Sequence, residues 1–328
     1  MIGIMMGMEI HFLSYLNRSG STLLARKLNE FKDISVGIEL KQKPSVVKSF
    51  CAESGDELDY WLDQVYLDKK FQSWQIDRNE LADNLAKQGY PIYFNHFLKH
   101  ALWQYFKNDG SKILIHKGKQ HIGQLDKAEK LYPGSKFIFI DRDPRGIYNS
   151  QKRSLDSTTK KIMQNDIIKF VIGYKHIQQR LKYYSHSKKH NHKLLIIRYE
   201  NLINRENEEL KKVINFFNVT DTKCDESNYF EKIPEGQKHL HKNLDKPNKK
   251  SRTIAWKKEL TDDEINLLNY VLKRELQENN YRIEGEHNLS KLLKNKRIRI
   301  KIVKIYILFY PKFLIKKFLL LLKMKKIY

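Results

Sequence analysis

Four short, mainly apolar runs, Ile10–Leu16, Ile113–Ile115, Phe137–Ile140 and Leu194–Ile197, each lead into a loop and then into a helical pattern. A strand with one wet face alternates apolar and polar residues. Runs that stay apolar belong to strands covered on both faces, which is the habit of parallel sheets sandwiched by helices. The helical patterns Ser21–Phe31, Ile162–Tyr184, Glu206–Phe217 and Asp262–Asn279 supply the covering layers. The last opens with Thr261 and Glu264, spaced as a capping box. The expected fold is therefore α/β, with a central parallel β-sheet flanked by helices.

Composition narrows the class. Of 328 residues 41% are apolar and 30% charged, which suits a folded chain and excludes disordered or fibrous ones. Two cysteines, Cys51 and Cys224, cannot form a disulfide framework, and no C-x-x-C is present to hold a metal. Both facts fit a reducing, cytoplasmic setting. The apolar start, residues 1–16, lacks a basic n-region and a small-residue cleavage site, so it reads as a leader plus a first strand. No uncharged apolar run reaches the roughly 18 residues of a plain transmembrane helix.

Charge points to anionic partners. The formal net charge is +24, from 62 Lys+Arg and 38 Asp+Glu. Residues 291–328 hold 13 of the cations and no acid, leaving 49 cations against 38 acids, or +11, for residues 1–290. The expected division is a domain over residues 1–290 and a basic tail over 291–328. Placed at 100° per residue, Lys294, Arg297, Lys301, Lys304, Lys312, Lys316, Lys323 and Lys326 fall within an arc of about 120°. That describes an amphipathic helix, kinked near Pro311, lying on an anionic membrane surface. Two alternatives stand beside it. Arg297–Ile302 alternates and suits an edge strand, and the tail would equally suit packing on the body or a subunit.

Two motifs carry chemistry. In Asn17-Arg18-Ser19-Gly20-Ser21-Thr22 a strand ends and a helix begins. Gly20 lets backbone N–H groups approach an anion, Ser19, Ser21 and Thr22 add hydroxyls, and Arg18 adds fixed charge. The helix N-terminus contributes about 0.3–2 kcal/mol towards an anion. The plain alternative is a strand–turn–helix junction with a serine cap. A Walker A loop is excluded, because G-x-x-x-x-G-K-[ST] is absent. In the second motif, Phe137-Ile138-Phe139-Ile140-Asp141-Arg142-Asp143-Pro144-Arg145-Gly146-Ile147-Tyr148-Asn149-Ser150, a strand ends in charges and a Pro-Arg-Gly turn opens a helix. Ligands of parallel sheets bind at the carboxyl ends of strands, so Arg142 and Ser150 would suit a second phosphate. The alternative pairs Arg142 with Asp141 or Asp143.

Together these motifs, in this order, resemble the sulfotransferases that use 3′-phosphoadenosine 5′-phosphosulfate (PAPS). The resemblance runs from about residue 9 to 283, loosely over 50–110. It implies a P-loop-like α/β fold, PAPS as donor, 3′,5′-ADP as co-product and no metal. It assigns Arg18, Ser19, Gly20, Ser21 and Thr22 to the 5′-phosphosulfate, and Arg142 and Ser150 to the 3′-phosphate. Tyr199, in Leu195-Ile196-Ile197-Arg198-Tyr199, is similar to the family's adenine-contacting tyrosine. Ser251 and Arg252, ahead of Trp256, resemble the basic loop that closes over the 3′-phosphate.

Arg rather than Lys at position 18 points to the branch acting on sugars, proteins and bacterial products. In related enzymes a Glu about twenty residues past the first loop is the general base, which maps to Glu39. Lys117, after the strand at Ile113–Ile115, maps to the cation that neutralises the bridging oxygen. Lys119 competes for that role, and His116 and His121 compete with Glu39.

The implied reaction is in-line displacement at sulfur by an acceptor hydroxyl. Carbohydrate is the favoured acceptor, with protein tyrosine or a small molecule as alternatives. The rival enzyme class is a P-loop kinase or NTPase, since Phe137–Asp141 resembles a Walker B strand. A basic nucleic-acid-binding protein is the non-enzymatic rival. Without a stacking or zinc motif, charge alone would bind nucleic acid without specificity.

Overall fold

The computed structural model describes residues 10–37, 39–40, 49–107, 111–118, 125–156, 159–223, 250–283 and 294–325, with side chains of the final helix described to Tyr310. In chain order the elements are β1 (Ile10–Tyr15), α1 (Ser21–Leu28), β2 (Ile34–Val36), β3 (Cys51–Ala52), α2 (Gly55–Tyr66), α3 (Lys69–Gln72), α4 (Arg78–Ala86), β4 (Ile92–Tyr93), α5 (Phe94–Phe106), β5 (Ile113–Lys117), α6 (Leu125–Leu131) and β6 (Phe137–Asp141). There follow α7 (Pro144–Lys152), α8 (Ile167–His186), β7 (Leu194–Arg198), α9 (Tyr199–Asn204), α10 (Glu206–Phe217), α11 (Ser251–Ile254), α12 (Trp256–Glu259), α13 (Asp262–Val271), α14 (Lys273–Glu278) and α15 (Lys296–Lys325). Two units result: Met1–Asp141 with His192–Pro247, and Arg142–Asn191 with Asn248–Tyr328.

The first unit holds a five-stranded parallel sheet in the order β2-β5-β1-β6-β7. Side chains alternate across each strand. Leu13, Tyr15, Ile115, Ile138, Ile140 and Ile197 face a core built with α1, α9 and α10, from Leu24, Leu28, Leu202, Val213 and Phe217. The intervening residues face the other way, where Phe12 stacks on Phe137 and meets Tyr132 and His116. That two-sided burial explains why these strands read as unbroken apolar runs. A helical layer follows β2, with Leu58, Leu62, Leu81, Leu85 and Phe97 fully buried. Trp74 ties it to the sheet by an edge contact with His116.

The second unit is helical. Asp143 caps α7, accepting from the Arg145 N–H (2.9 Å), and Pro144 takes the first turn, where no donor is needed. Thr261 and Glu264 form the expected capping box at α13. The final helix packs on α8 and α13 through Ile298, Ile302, Ile305 and Phe309, all buried, and Phe309 lies 5.1 Å from the His176 ring.

Several boundaries differ from expectation. The first helix stops at Leu28 rather than Phe31, because Asn29 turns back to bond Ala25 O (2.7 Å) and receives the Val36 N–H (3.2 Å). Those bonds also hold β2, a strand too short to read from sequence. The helix expected from Ile162 begins at Ile167 under an Asp166 cap, and Ile162 instead bridges Leu155. The helix expected over Asp262–Asn279 breaks at Leu272 into α13 and α14. Arg297–Ile302 is helical, not an edge strand, because the Asn295 side chain accepts the Arg297 and Ile298 N–H groups (3.0 and 3.3 Å) and starts α15. No helix among the described residues is long and apolar enough to cross a membrane.

Candidate active site

All five parallel strands end on one edge of the sheet. In the first unit that edge receives Gly37 and Glu39 after β2, Lys117 from β5, the Leu16–Thr22 loop after β1, and Tyr199 after β7.

The loop after β1 is shaped by two left-handed residues, Arg18 (φ 69°) and Gly20 (φ 96°). The Ser19 N–H closes on Leu16 O (3.1 Å) and the Leu24 N–H on Gly20 O (3.1 Å). Gly20 is thus the cap of α1 and brings no side chain to it. The first N–H groups of a helix have no partner within it. Together with the helix dipole they form a seat for an anion. The position also demands glycine sterically, since a Cβ there would stand 2.3 Å from Cδ2 of the Tyr199 ring. Ser19 is fully buried, and its hydroxyl has no hydrogen-bond partner among the described residues.

Lys117 shares the strand face of Ile115, which points to α1. Its Nζ donates to Thr22 Oγ1 (2.9 Å) and lies 5.3 Å above the Tyr15 ring. Only 7% of this lysine is exposed, so its charge acts at the loop with little screening by water.

His116 points to the opposite face, buried against Phe12 and Trp74. Burial drives its pKa down to about 4, and the nearby Glu39 carboxylate opposes the shift. The imidazole is therefore neutral at pH 7. Glu39 is partly exposed and follows Gly37, whose N–H bonds Ile115 O (2.9 Å). Trp74 and Tyr105 (4.9 Å between rings) continue an aromatic wall from His116.

The second unit builds its own cationic cluster. Arg142, largely buried, lays its guanidinium over Gly146, where a Cβ would meet Nε at 3.2 Å. Ser150 stands four residues on, one turn further along the same face of α7. The Arg142 Nη2 donates to Arg252 O (3.1 Å), which brings the start of α11 to the cluster. Ser251 beside it is exposed.

Asp143 takes Arg145 as its partner, through Nε–Oδ1 (3.0 Å) and Nη2–Oδ2 (2.8 Å). Arg145 also donates to Asn269 Oδ1 (2.9 Å) and Arg282 O (3.0 Å) and stacks 4.0 Å above the Trp256 ring.

The first unit thus gathers Arg18 to Thr22, Lys117 and Tyr199, with Glu39 on the same sheet edge. The second gathers Arg142, Ser150 and the backbone of Arg252. Lys119, His121 and most of the basic loop before Lys250 lie outside the described residues, as does the leader before Ile10. Sequence reasoning missed Arg145 and the pairing of Trp74 with Tyr105. The Pro-Arg-Gly turn signalled the first only as a turn, and the second depends on contacts between distant segments.

A comparison with curated proteins finds no match. Among solved structures, the chain is similar to the sulfotransferase domain from the curacin biosynthetic pathway (TM-score 0.55, 18% identity, 84% of this chain and 99% of that one). It is similar also to the sulfotransferase domain of the Synechococcus PCC 7002 olefin synthase (TM-score 0.50, 17% identity, 76% of this chain and 86% of that one). These likenesses show a shared α/β fold. The profile of the sulfotransferase family matches residues 12–223, a span that contains the anion-seating loop, Lys117, Arg142 and Tyr199, and the chain belongs to that family.

Proposed function

We propose that this protein uses PAPS as sulfuryl donor and a hydroxyl of a glycan or other cell-envelope molecule as acceptor. When bound, the donor supplies an activated sulfuryl group and releases 3′,5′-ADP. Arg18, Ser19, Gly20, Ser21 and Thr22 hold the 5′-phosphosulfate. Arg142, Ser150, Ser251 and Arg252 hold the 3′-phosphate, and Tyr199 meets the adenine. The observation that carries the reading is the Lys117 ammonium bonded to Thr22 at the mouth of the α1 N-terminus. A buried cation, uncapped helix N–H groups and the orphaned Ser19 hydroxyl suit a dense anion and would be costly around an apolar ligand. The Arg142 guanidinium, held over Gly146 one helical turn before Ser150, suits a second phosphate.

Each residue then has a task. Glu39 takes the proton of the acceptor hydroxyl. His116 is buried against Phe12 and Trp74 on the face of β5 opposite Lys117, whereas Glu39 is partly exposed, which supports Glu39 over it as the base. Lys117 and the α1 N-terminus place positive charge where negative charge grows on the leaving oxygen, the arrangement that lowers such barriers most. The domain that does this spans residues 1–290, with 291–328 appended.

Thermal shift tests the donor. We expect 3′,5′-ADP to raise the melting temperature in proportion to its binding, 5′-AMP to do so far less, and Mg-ATP not at all. Equal stabilisation by Mg-ATP would favour a phosphoryl-transfer enzyme. Transfer of labelled sulfate to cell-envelope fractions then identifies the acceptor class.

A further inference from the structure

Over its described side chains, to Tyr310, the final helix is apolar on two sides, and one of them packs on the body. Its inner stripe, Ile298, Ile302, Ile305 and Phe309, is buried. On the opposite side Ile300, Val303, Ile307 and Tyr310 recur at helical spacing and are 44%, 48%, 63% and 48% exposed. At 100° per residue the two stripes lie roughly half a turn apart. Lys304, Arg297 and Lys301 line one flank of the outer stripe and Arg299 the other, all exposed.

We propose that this outer face of α15 is a docking surface for an anionic lipid bilayer. The occupant is chosen by chemistry. Thirteen cations and no acids over residues 291–328 complement a negatively charged surface. A stripe of Ile, Val and Tyr seats in the acyl boundary, while the flanking Lys and Arg reach back to headgroup phosphates along their aliphatic stems. Nucleic acid would reward the charge but leave the stripe without a role. A second copy docked face to face would set like charges against each other. The helix lies on the bilayer and does not cross it, because its inner stripe stays on α8 and α13. This inference uses none of the residues assigned to donor or acceptor, so it stands or falls apart from the sulfotransfer reading.

The test is co-sedimentation of the full chain with phosphatidylcholine vesicles, with and without phosphatidylglycerol. Wild-type protein is expected to bind the anionic vesicles at least about tenfold more tightly than the neutral ones, and to release them at high salt. The variant V303E/I307E changes only exposed positions and should bind at least about tenfold more weakly with an unaltered melting temperature. If that variant misfolds, K301Q/K304Q serves instead, with a loss of about fivefold or more expected from two cations. Equal binding by wild type and a folded variant would overturn the proposal. So would binding to duplex DNA but not vesicles, or a lipid-free dimer that V303E/I307E splits.

Discussion

At the scale of single residues, the decisive contact is between Lys117 and Thr22, 95 positions apart and 2.9 Å between donor and acceptor. A lysine this deep carries a desolvation cost, which the Thr22 hydroxyl and the Tyr15 ring help to offset. Lys117→Met keeps the length and removes the charge. We expect kcat for sulfuryl transfer to fall about 10²–10³-fold, with an unchanged or raised melting temperature. A lower melting temperature with kcat retained would make Lys117 a structural residue. Glu39→Gln should cost about 10²–10⁴-fold in kcat, while 3′,5′-ADP stabilises it as it does wild type. The turn at Arg18–Thr22 was legible because it is local: Gly20 among small polar residues marks where a strand gives way to a helix. The partner of Lys117 was not legible, since only strand register brings β5 beside β1.

At the scale of elements, the turn from β6 into α7 depends on a buried ion pair. Asp143 caps the helix and accepts both the Arg145 backbone and its guanidinium. The guanidinium also reaches Asn269 of α13 and Arg282, and covers Trp256 of α12. Arg145→Met removes the guanidinium that the buried Asp143 bonds through both carboxylate oxygens. We expect a loss of about 3–5 kcal/mol, read as a lower urea midpoint, and weaker stabilisation by 3′,5′-ADP because Arg142 rides on this turn. A loss below about 1 kcal/mol would show that the pair does not hold the turn. The charges of Asp141-Arg142-Asp143-Pro144-Arg145 were plain in the sequence, but who pairs with whom was not. The bond between Arg145 and Asp143 was not among the pairings the sequence suggested, and it forms because the first turn of α7 carries Arg145 back over its own cap.

At the scale of the whole molecule, three of the buried imidazoles among the described residues shape the response to acid. His11 and His116 in the sheet and His100 in α5 all have pKa values lowered to about 4, in each case chiefly by burial. The Lys136 charge adds to the shift at His11, Lys99 and His96 add to it at His100, and Glu39 opposes it at His116. Unfolded, each titrates near 6.5, so between pH 6.5 and 4 the unfolded chain binds more protons than the folded one. Stability is full above pH 6.5 and falls as pH drops through that window, by at most about 1.4 kcal/mol per pH unit for each histidine. Urea midpoints from pH 7 downward check this, and a flat profile to pH 4 would refute it. The sequence by itself determined the parallel α/β class, the strand-to-helix turn at Arg18–Thr22 and the cationic tail, because strand burial, helix N-termini and charge are properties of neighbouring residues. Only the tertiary structure decided that Lys117 meets Thr22, that Tyr199 presses on Gly20, that Arg145 takes Asp143, and that one side of α15 is spent on α8 and α13. Each of those contacts joins residues whose proximity depends on strand order or helix packing, and burial then sets how strongly their charges act.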